Sequence, residues 1–143
     1  NAKHISIDQF YSLDVDVLIP CALENAITEE EAKKIRAKLI VEGANGPVDY
    51  IADGILRQKN IGVIPDILAN SGGVIASYFE WVQNISGIDM TEDDVLNKVE
   101  YRMLLAYNEI IKIKDEYNVT MRLASYIYSV LRLYKILKLR SRI

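Results

Sequence analysis

The sequence has little of several residue types that would mark a specialised protein. It holds one cysteine, so no disulfide can form within the chain, and a cytoplasmic, reducing setting is the simplest expectation. We expect that residue, Cys21, to be small and buried. The one histidine, His4, has no partner at a spacing typical of a metal site or catalytic triad, which indicates a surface or strand-edge residue. No apolar run approaches the roughly 20 residues of a membrane span, and no secretory signal opens the chain.

The charge balance is mildly acidic. Lys and Arg number 17 and Asp and Glu number 20, for a net charge of −3 and a pI near 5.2. Nothing in this balance favours a nucleic-acid partner or a membrane surface. Half of the 143 residues are hydrophobic, which suits one compact domain with its own core.

Three short apolar runs rich in Val, Ile and Leu predict parallel strands that are buried on both faces. They are residues 15–19, 38–41 and 61–64. Between the first two, Thr28 followed by three glutamates predicts a capped helix. Between the second and third, Pro47 predicts the first position of a helix that runs to Lys59. Alternating strands and helices predict βαβ units, and hence an α/β fold with a parallel sheet.

Helices are predicted over the rest of the chain. The first covers residues 69–85, the second follows a cap at Thr91 and ends at Asn118, and the third follows a cap at Thr120. The apolar stripes of the last two are Val95, Val99, Met103, Ala106, Ile110 and Ile113, and then Leu123, Ile127, Val130, Tyr134 and Leu137. The prediction is therefore one α/β unit with a terminal helical segment.

Small residues and amides follow the predicted strands. Asn45 follows the second strand and Asn70 the third. Ligands of parallel sheets bind at the carboxyl ends of strands, so these amides form a candidate clamp for ribose, carboxamide or amino groups. If Asn70 caps the next helix, two glycines lie in its first turn and leave the positive terminus open to an anion, with Ser77 two turns along the same face. The simpler alternative is that both asparagines cap helices and the glycines allow close packing, and spacing alone slightly favours it.

Five stretches, in one order and spacing, carry a resemblance that covers the whole chain. They are DVLIPCALEN (16–25), EGANGP (42–47), PDILANSGGV (65–74), SYFEWVQN (77–84) and MRLASY (121–126). Together they resemble the Glu/Leu/Phe/Val dehydrogenase family, and the glutamate dehydrogenases in particular. The resemblance implies oxidative deamination of L-glutamate to 2-oxoglutarate and ammonia with NAD or NADP, in a homo-oligomer that is a hexamer.

The resemblance also implies roles for particular residues. Ala22 and Asn45 would line the cofactor site, and Asn70 would lie near the nicotinamide ribose and the substrate amino group. Ser77 would bind the side-chain carboxylate of the substrate. Dehydrogenases for apolar amino acids usually carry an apolar residue at that position, so Ser77 favours glutamate, because a buried carboxylate needs polar partners.

The resemblance implies that residues 1–143 are the C-terminal half of a Rossmann-like dinucleotide-binding domain with terminal helices. No Gly-x-Gly-x-x-Gly turn follows a strand, and no lysine matches the family's catalytic motif. The sequence starts at Asn1 within predicted structure, so an upstream Gly-rich half and a substrate domain are expected to be missing. We predict no catalytic residue and no metal ligand in the chain, and no activity for it alone. Two alternatives stay open: a non-catalytic truncated module that binds a partner or oligomerises, and a dehydrogenase for an apolar amino acid.

Overall fold

Three short parallel strands organise the first part of the chain in the computed structural model, which describes residues 4–140. They are β1 (Val17–Leu18), β2 (Leu39–Val41) and β3 (Gly62–Ile64), and they lie side by side in the order β1-β2-β3. Leu18 pairs with Ile40, and Ile40 with Val63. The predicted strands and their parallel arrangement are confirmed, although each strand is shorter than its apolar run. The expected burial on both faces is wrong for β1 and β3, where Val17 and Gly62 are exposed. Residues 1–3 and 141–143 of the predicted domain lie outside the described residues.

Four helices accompany these strands in a first compact unit that ends at Asn70. They are α1 (Ile7–Tyr11), α2 (Glu29–Lys34), α3 (Tyr50–Gln58) and α4 (Asp66–Ala69). The core of this unit consists of Leu18, Ile27, Ala32, Ile35, Ala37, Ile40, Val48, Ala52 and Leu56. Burial of these side chains, at roughly 25 cal/mol per Å² of apolar surface, is the main force that stabilises the unit.

The helix α2 begins and ends with side-chain caps. The carboxylate of Glu31 accepts a hydrogen bond from the backbone N–H of Thr28 at 3.0 Å, which completes the capping box that the sequence predicted. The Thr28 hydroxyl also donates to Glu31 and lowers the pKa of that carboxyl below its usual range. At the other end, the ammonium group of Lys59 donates to three carbonyl oxygens of the last turn at 2.6–3.0 Å. Both ends of α2 are therefore satisfied.

The start of α3 was predicted wrongly. Pro47 does not open the helix; Asp49 is the N-cap, and its side chain accepts from the backbone N–H of Ala52 at 2.6 Å. The chain before Asp49 is extended because Val48 forms a parallel bridge with Ile27, whose backbone N–H donates to the carbonyl oxygen of Pro47 at 2.8 Å. A long-range pairing thus outweighs the local preference of proline for the first helical turn.

Three helices form a second compact unit, which begins at Ser71. They are α5 (Ser71–Ser86), α6 (Glu92–Tyr117) and α7 (Met121–Leu139). Thr91 and Thr120 cap α6 and α7 as predicted, and Asn118 ends α6 in the left-handed conformation, with φ 51°. The predicted stripe of α6 faces inward.

The predicted stripe of α7 does not face inward. All of its members except Ile127 are exposed, and the buried positions of this helix are Ala124 and Ser125. Few side chains are buried among residues 71–140 of this unit: besides these two, Phe79 and Ile110. Between residues 4 and 140 no helix is long and apolar enough to cross a membrane.

Candidate functional site

The three strands of the first unit end at one edge of the sheet, and backbone hydrogen bonds tie the segments that leave them. The N–H of Ala44, after β2, donates to the carbonyl oxygen of Pro20, after β1, at 2.9 Å. The N–H of Glu42 donates to the carbonyl oxygen of Ile64, in β3, at 3.1 Å. The edge at which ligands of parallel sheets bind is therefore a connected surface.

Two asparagine side chains meet at this edge. The amide nitrogen Nδ2 of Asn70 donates to Oδ1 of Asn45 at 2.6 Å. It also lies 3.4 Å from the carbonyl oxygens of Gly43 and Ala44. Three acceptors around one atom require that atom to be the NH₂ group, and Asn45 must then present its oxygen to it. The surrounding backbone thus fixes the orientation of both amides.

The fixed orientation leaves one donor and one acceptor for a ligand. Nδ2 of Asn45 and Oδ1 of Asn70 have no hydrogen-bond partner within the part of the chain that the structure describes. A neighbouring donor and acceptor complement a primary carboxamide, which offers the same two groups, or a hydroxyl, which does both. The predicted proximity of the two amides is confirmed. We call Asn45 and Asn70 the amide pair.

The interpretation of Asn70 as the cap at the start of the following helix was wrong. Its backbone ends the four-residue helix α4 as the C-cap, and its side chain is used by the amide pair. The following helix α5 begins at Ser71, so Gly72 and Gly73 do lie in its first turn. A methyl group added at Gly72 would meet Val99 at an ordinary 3.6 Å, and one at Gly73 would meet nothing within 4 Å. Close packing within the second unit therefore does not require either glycine.

The other predicted site residues lie at the surface. Ala22 follows β1 in the first unit and is exposed, and Ser77 lies on α5 in the second unit and is also exposed. Cys21 was expected to be buried but is exposed, and its sulfur lies beside Gly43: a methyl group on that glycine would be 2.5 Å from Sγ. Small side chains thus line the edge between β1 and β2.

Two acidic residues beside the amide pair were missed by the sequence reasoning. Glu42 is completely buried at the end of β2, and its Oε2 accepts from the backbone N–H of Asp66 at 2.8 Å. Asp66 accepts from the backbone N–H of Gly46 at 2.8 Å. The signal was present in the sequence, because each acid stands one or two residues after the end of a strand and three or four residues before an asparagine.

The second unit contains a half-open cavity of about 700 Å³. Val74, Tyr78 and Leu105 contribute apolar surface to it, and Arg102 and Arg132 contribute charge. Within residues 4–140, no group of three or more His, Cys, Asp or Glu side chains is arranged to hold a metal ion.

Comparison with known proteins gives one consistent result. The family model for Glutamate/Leucine/Phenylalanine/Valine dehydrogenase matches residues 1–141. The NAD-specific glutamate dehydrogenase of Clostridioides difficile is 50% identical over 139 residues, which cover 97% of this chain and 33% of that protein.

Solved structures agree with this match. The glutamate dehydrogenase of Peptoniphilus asaccharolyticus superposes with a TM-score of 0.82 at 47% identity, over 87% of this chain and 32% of that one. The hetero-hexameric glutamate dehydrogenase of Thermus thermophilus, in its Leu-bound form, gives a TM-score of 0.89 at 26% identity, over 95% and 33% of the two chains. The chain thus spans about a third of the length of these relatives.

Proposed function

Because the chain belongs to the Glutamate/Leucine/Phenylalanine/Valine dehydrogenase family, we propose that it is part of an NAD-dependent glutamate dehydrogenase. The reaction is the oxidative deamination of L-glutamate to 2-oxoglutarate and ammonia. The relative from Clostridioides difficile is NAD-specific, which favours NAD over NADP. A cytoplasmic location stays a prediction.

The amide pair is the observation that carries this proposal. It lies at the carboxyl edge of a parallel sheet, where dinucleotides bind, and it offers a donor and an acceptor whose positions are fixed by the backbone. These residues fit the nicotinamide end of the cofactor, whose carboxamide or ribose hydroxyls match that pattern. When bound, the cofactor accepts the hydride. Asn45 and the exposed Ala22 line its site, and Asn70 binds both the ribose and the substrate amino group.

Ser77 supplies the selectivity in this proposal. Its exposed hydroxyl donates a hydrogen bond to the side-chain carboxylate of glutamate. A carboxylate that leaves water without polar partners is strongly unfavourable, so a hydroxyl at this position favours an acidic substrate over an apolar one. The same position would contribute nothing in a dehydrogenase for apolar amino acids.

The chain is one part of the enzyme in this proposal. Residues 1–143 form the C-terminal half of the dinucleotide-binding domain with its terminal helices, and the Gly-rich turn and catalytic acid–base groups belong to other parts of the protein. The 143-residue chain alone is then inactive. Assembly follows the Thermus relative in being hexameric, with identical subunits here.

The test is steady-state kinetics of the protein that carries this chain, with NADH formation as the readout. Asn45→Ala and Asn70→Ala each remove a hydrogen bond to the cofactor and raise KM for NAD about tenfold. Gln58→Ala removes an exposed amide at the end of α3 and leaves KM unchanged. Unchanged KM values in both asparagine variants would overturn the proposed cofactor site.

The substrate assignment has its own experiment. In Ser77→Val, kcat/KM for glutamate falls about tenfold or more, while kcat/KM for an apolar amino acid does not fall. If kcat/KM for glutamate is the same in Ser77→Val and in the unchanged protein, the apolar-substrate alternative is favoured instead.

A second candidate function is a non-catalytic module that binds a partner. The exposed apolar side chains of α7, among them Val130, Leu133 and Tyr134, favour it, because apolar patches of this kind mark contact surfaces. Absence of glutamate-dependent NADH formation by the complete protein, together with stable association of this chain with another subunit in size-exclusion chromatography, would support this candidate.

A further inference from the structure

Asp66 connects to both members of the amide pair. Its side-chain Oδ2 accepts from the backbone N–H of Gly46, the residue after Asn45, at 2.8 Å. Its main-chain oxygen accepts from the backbone N–H of Asn70 at 3.1 Å. One residue therefore fixes the loop that carries the first amide and the helical turn that carries the second.

The structure assigns Asp66 as the residue that positions the amide pair for the cofactor, with Glu42 as its anchor. This assignment rests on the proposed function, because it takes the amide pair to be the nicotinamide site. Asp66 itself touches neither cofactor nor substrate in this assignment; it acts through Asn45 and Asn70.

A carboxylate is required at this position because both of its oxygens accept hydrogen bonds. Oδ1 accepts from the backbone N–H of Ile67 at 2.7 Å, while Oδ2 accepts from Gly46. An amide offers only one oxygen, so Asp66→Asn must turn its NH₂ group toward one of two backbone N–H groups. Hydrogen bonds to an ionised acceptor are about twice as strong as neutral ones. Loss of the bond to Gly46 therefore weakens the attachment of the loop that carries Asn45.

The loop that carries Asn45 is bound at Gly46 on both sides of that residue. Gly46 has φ +54°, a conformation that few residues other than glycine adopt. The main-chain oxygen of Gly46 is also bound, by the N–H of Asn25 at 2.8 Å. Both polar backbone groups of Gly46 are thus tied, one of them to Asp66.

The side chain of Glu42 binds the backbone of Asp66. Its side chain is completely buried, and Oε2 accepts from the N–H of Asp66 at 2.8 Å. A buried carboxylate is costly unless it is hydrogen-bonded, so its presence at the end of β2 indicates a requirement for an acceptor there. Glu42, at the end of β2, therefore binds Asp66, and Asp66 in turn binds the two segments that carry the amide pair.

The experiment is a double-mutant cycle between Asp66 and Asn45, read as KM for NAD and kcat in the protein that carries this chain. Asp66→Asn raises KM for NAD about tenfold, since it misplaces the donor of Asn45. In the Asn45→Ala background, the same change raises KM by less than about twofold, because the group that it positions is already gone. Asp16→Asn is the matched control: this exposed carboxylate pairs with Lys38, and its loss leaves KM unchanged.

The outcomes separate the two claims. If Asn45→Ala raises KM and the effects of Asp66→Asn and Asn45→Ala multiply, the positioning role is overturned while the cofactor site stands. If Asn45→Ala leaves KM for NAD unchanged, the positioning role fails, because it acts through that side chain; if Asn70→Ala also leaves KM unchanged, the proposed cofactor site fails as well. A merely structural role for Asp66 would lower the melting temperature and the active fraction, and hence kcat, without coupling to Asn45.

A second variant covers the case in which Asp66→Asn does not fold, as judged by circular dichroism. Asp66→Ser keeps one acceptor oxygen in place of two and cannot serve both Gly46 and Ile67. It is expected to raise KM with the same dependence on Asn45. Equal KM values for the serine variant and the unchanged protein would overturn the assignment.

Discussion

Replacement of Gly43 by alanine tests the close approach between the ends of β1 and β2. The added methyl carbon would lie 2.5 Å from Sγ of Cys21, far inside contact distance, and 3.5 Å from the carbonyl oxygen of Pro20. Only the sulfur must move. Because Cys21 is exposed, rotation about its single side-chain torsion is open to it.

The expected change in stability depends on whether the sulfur of Cys21 can rotate away. A sulfur that could not move would cost the roughly 1–3 kcal/mol typical of an overpacked site. Rotation of the Cys21 side chain away from its preferred torsion costs about 0.5–1.5 kcal/mol. Replacement of a glycine lowers the conformational entropy of the unfolded chain, which stabilises the folded protein by about 0.4–1 kcal/mol. We therefore expect the effect of Gly43→Ala on the free energy of unfolding to lie between a loss of about 1 kcal/mol and a gain of about 0.5 kcal/mol.

The assay is urea unfolding of Gly43→Ala in the natural background and in Cys21→Ala. In the second background the nearest side-chain atom is Cβ of residue 21 at an ordinary 3.6 Å, so Gly43→Ala is expected to stabilise by about 0.4–1 kcal/mol. Gly54→Ala is the control: in α3 a methyl group meets nothing within 4 Å, and it should stabilise both backgrounds equally, by about 1 kcal/mol.

One result would refute this reasoning. If Gly43→Ala changes the free energy of unfolding by the same amount in both backgrounds, the sulfur of Cys21 is not what the methyl group meets. The reaction rate of the Cys21 thiol with a disulfide reagent gives an independent reading, because rotation of the sulfur changes its access to solvent.

Three further predictions concern the caps and the core. Asp49→Ala removes the N-cap of α3, whose side chain accepts from the N–H of Ala52, and should lower the free energy of unfolding in urea by about 1 kcal/mol. The Thr91 hydroxyl lowers the pKa of the Asp94 carboxyl, so the stabilisation from this ionised group is present above the pKa of the unfolded chain and is lost as pH falls through the folded pKa. Thr91→Ala should raise the pKa of Asp94 measured by NMR titration. Leu56→Ala empties a fully buried position and should cost roughly 2–5 kcal/mol in the same urea assay.

Each of these has a contrary outcome. An Asp49→Ala protein as stable as the parent would mean that water caps α3 equally well. An Asp94 titration midpoint that does not change in Thr91→Ala would remove the hydroxyl as the cause. A loss below about 1 kcal/mol for Leu56→Ala would mean that the core collapses around the missing side chain.

Local patterns were enough to predict the three strands and the longer helices of the fold, although not the short helices α1 and α4. Runs of Val, Ile and Leu predict the three β-strands. Thr28, Thr91 and Thr120 predict helix starts, because a cap is a contact between residues that are close in sequence. The start of α3 was misplaced because the bridge between Ile27 and Val48 joins residues far apart in sequence. No short stretch of the sequence contains both residues of that pairing.

The site was predictable only as far as the topology reaches. Parallel strands bring Asn45 and Asn70 to one edge, and that much followed from the order of the elements. The direction of their hydrogen bond depends on the carbonyl oxygens around Asn70, and the part played by Asp66 depends on the turn at Gly46. Helix α4 was not predicted, so Asp66 lay in an unassigned turn between the third strand and the helix predicted over residues 69–85, and it did not stand out. The role of Ser77 stays a prediction.

The uneven burial in the two units has a consequence for how the chain opens locally. Free energies of local opening follow the number of buried apolar contacts, and the nine-residue core of the first unit contrasts with the few buried side chains of α5, α6 and α7. Amide protons of these helices should therefore exchange with solvent sooner than those of β2. In the proposal above, the amide pair then belongs to the unit with the larger buried core, and Ser77 belongs to the unit with fewer buried side chains. If Ser77 binds the substrate as proposed, ordering of α5 is expected to add a free-energy cost to substrate binding and not to NAD binding.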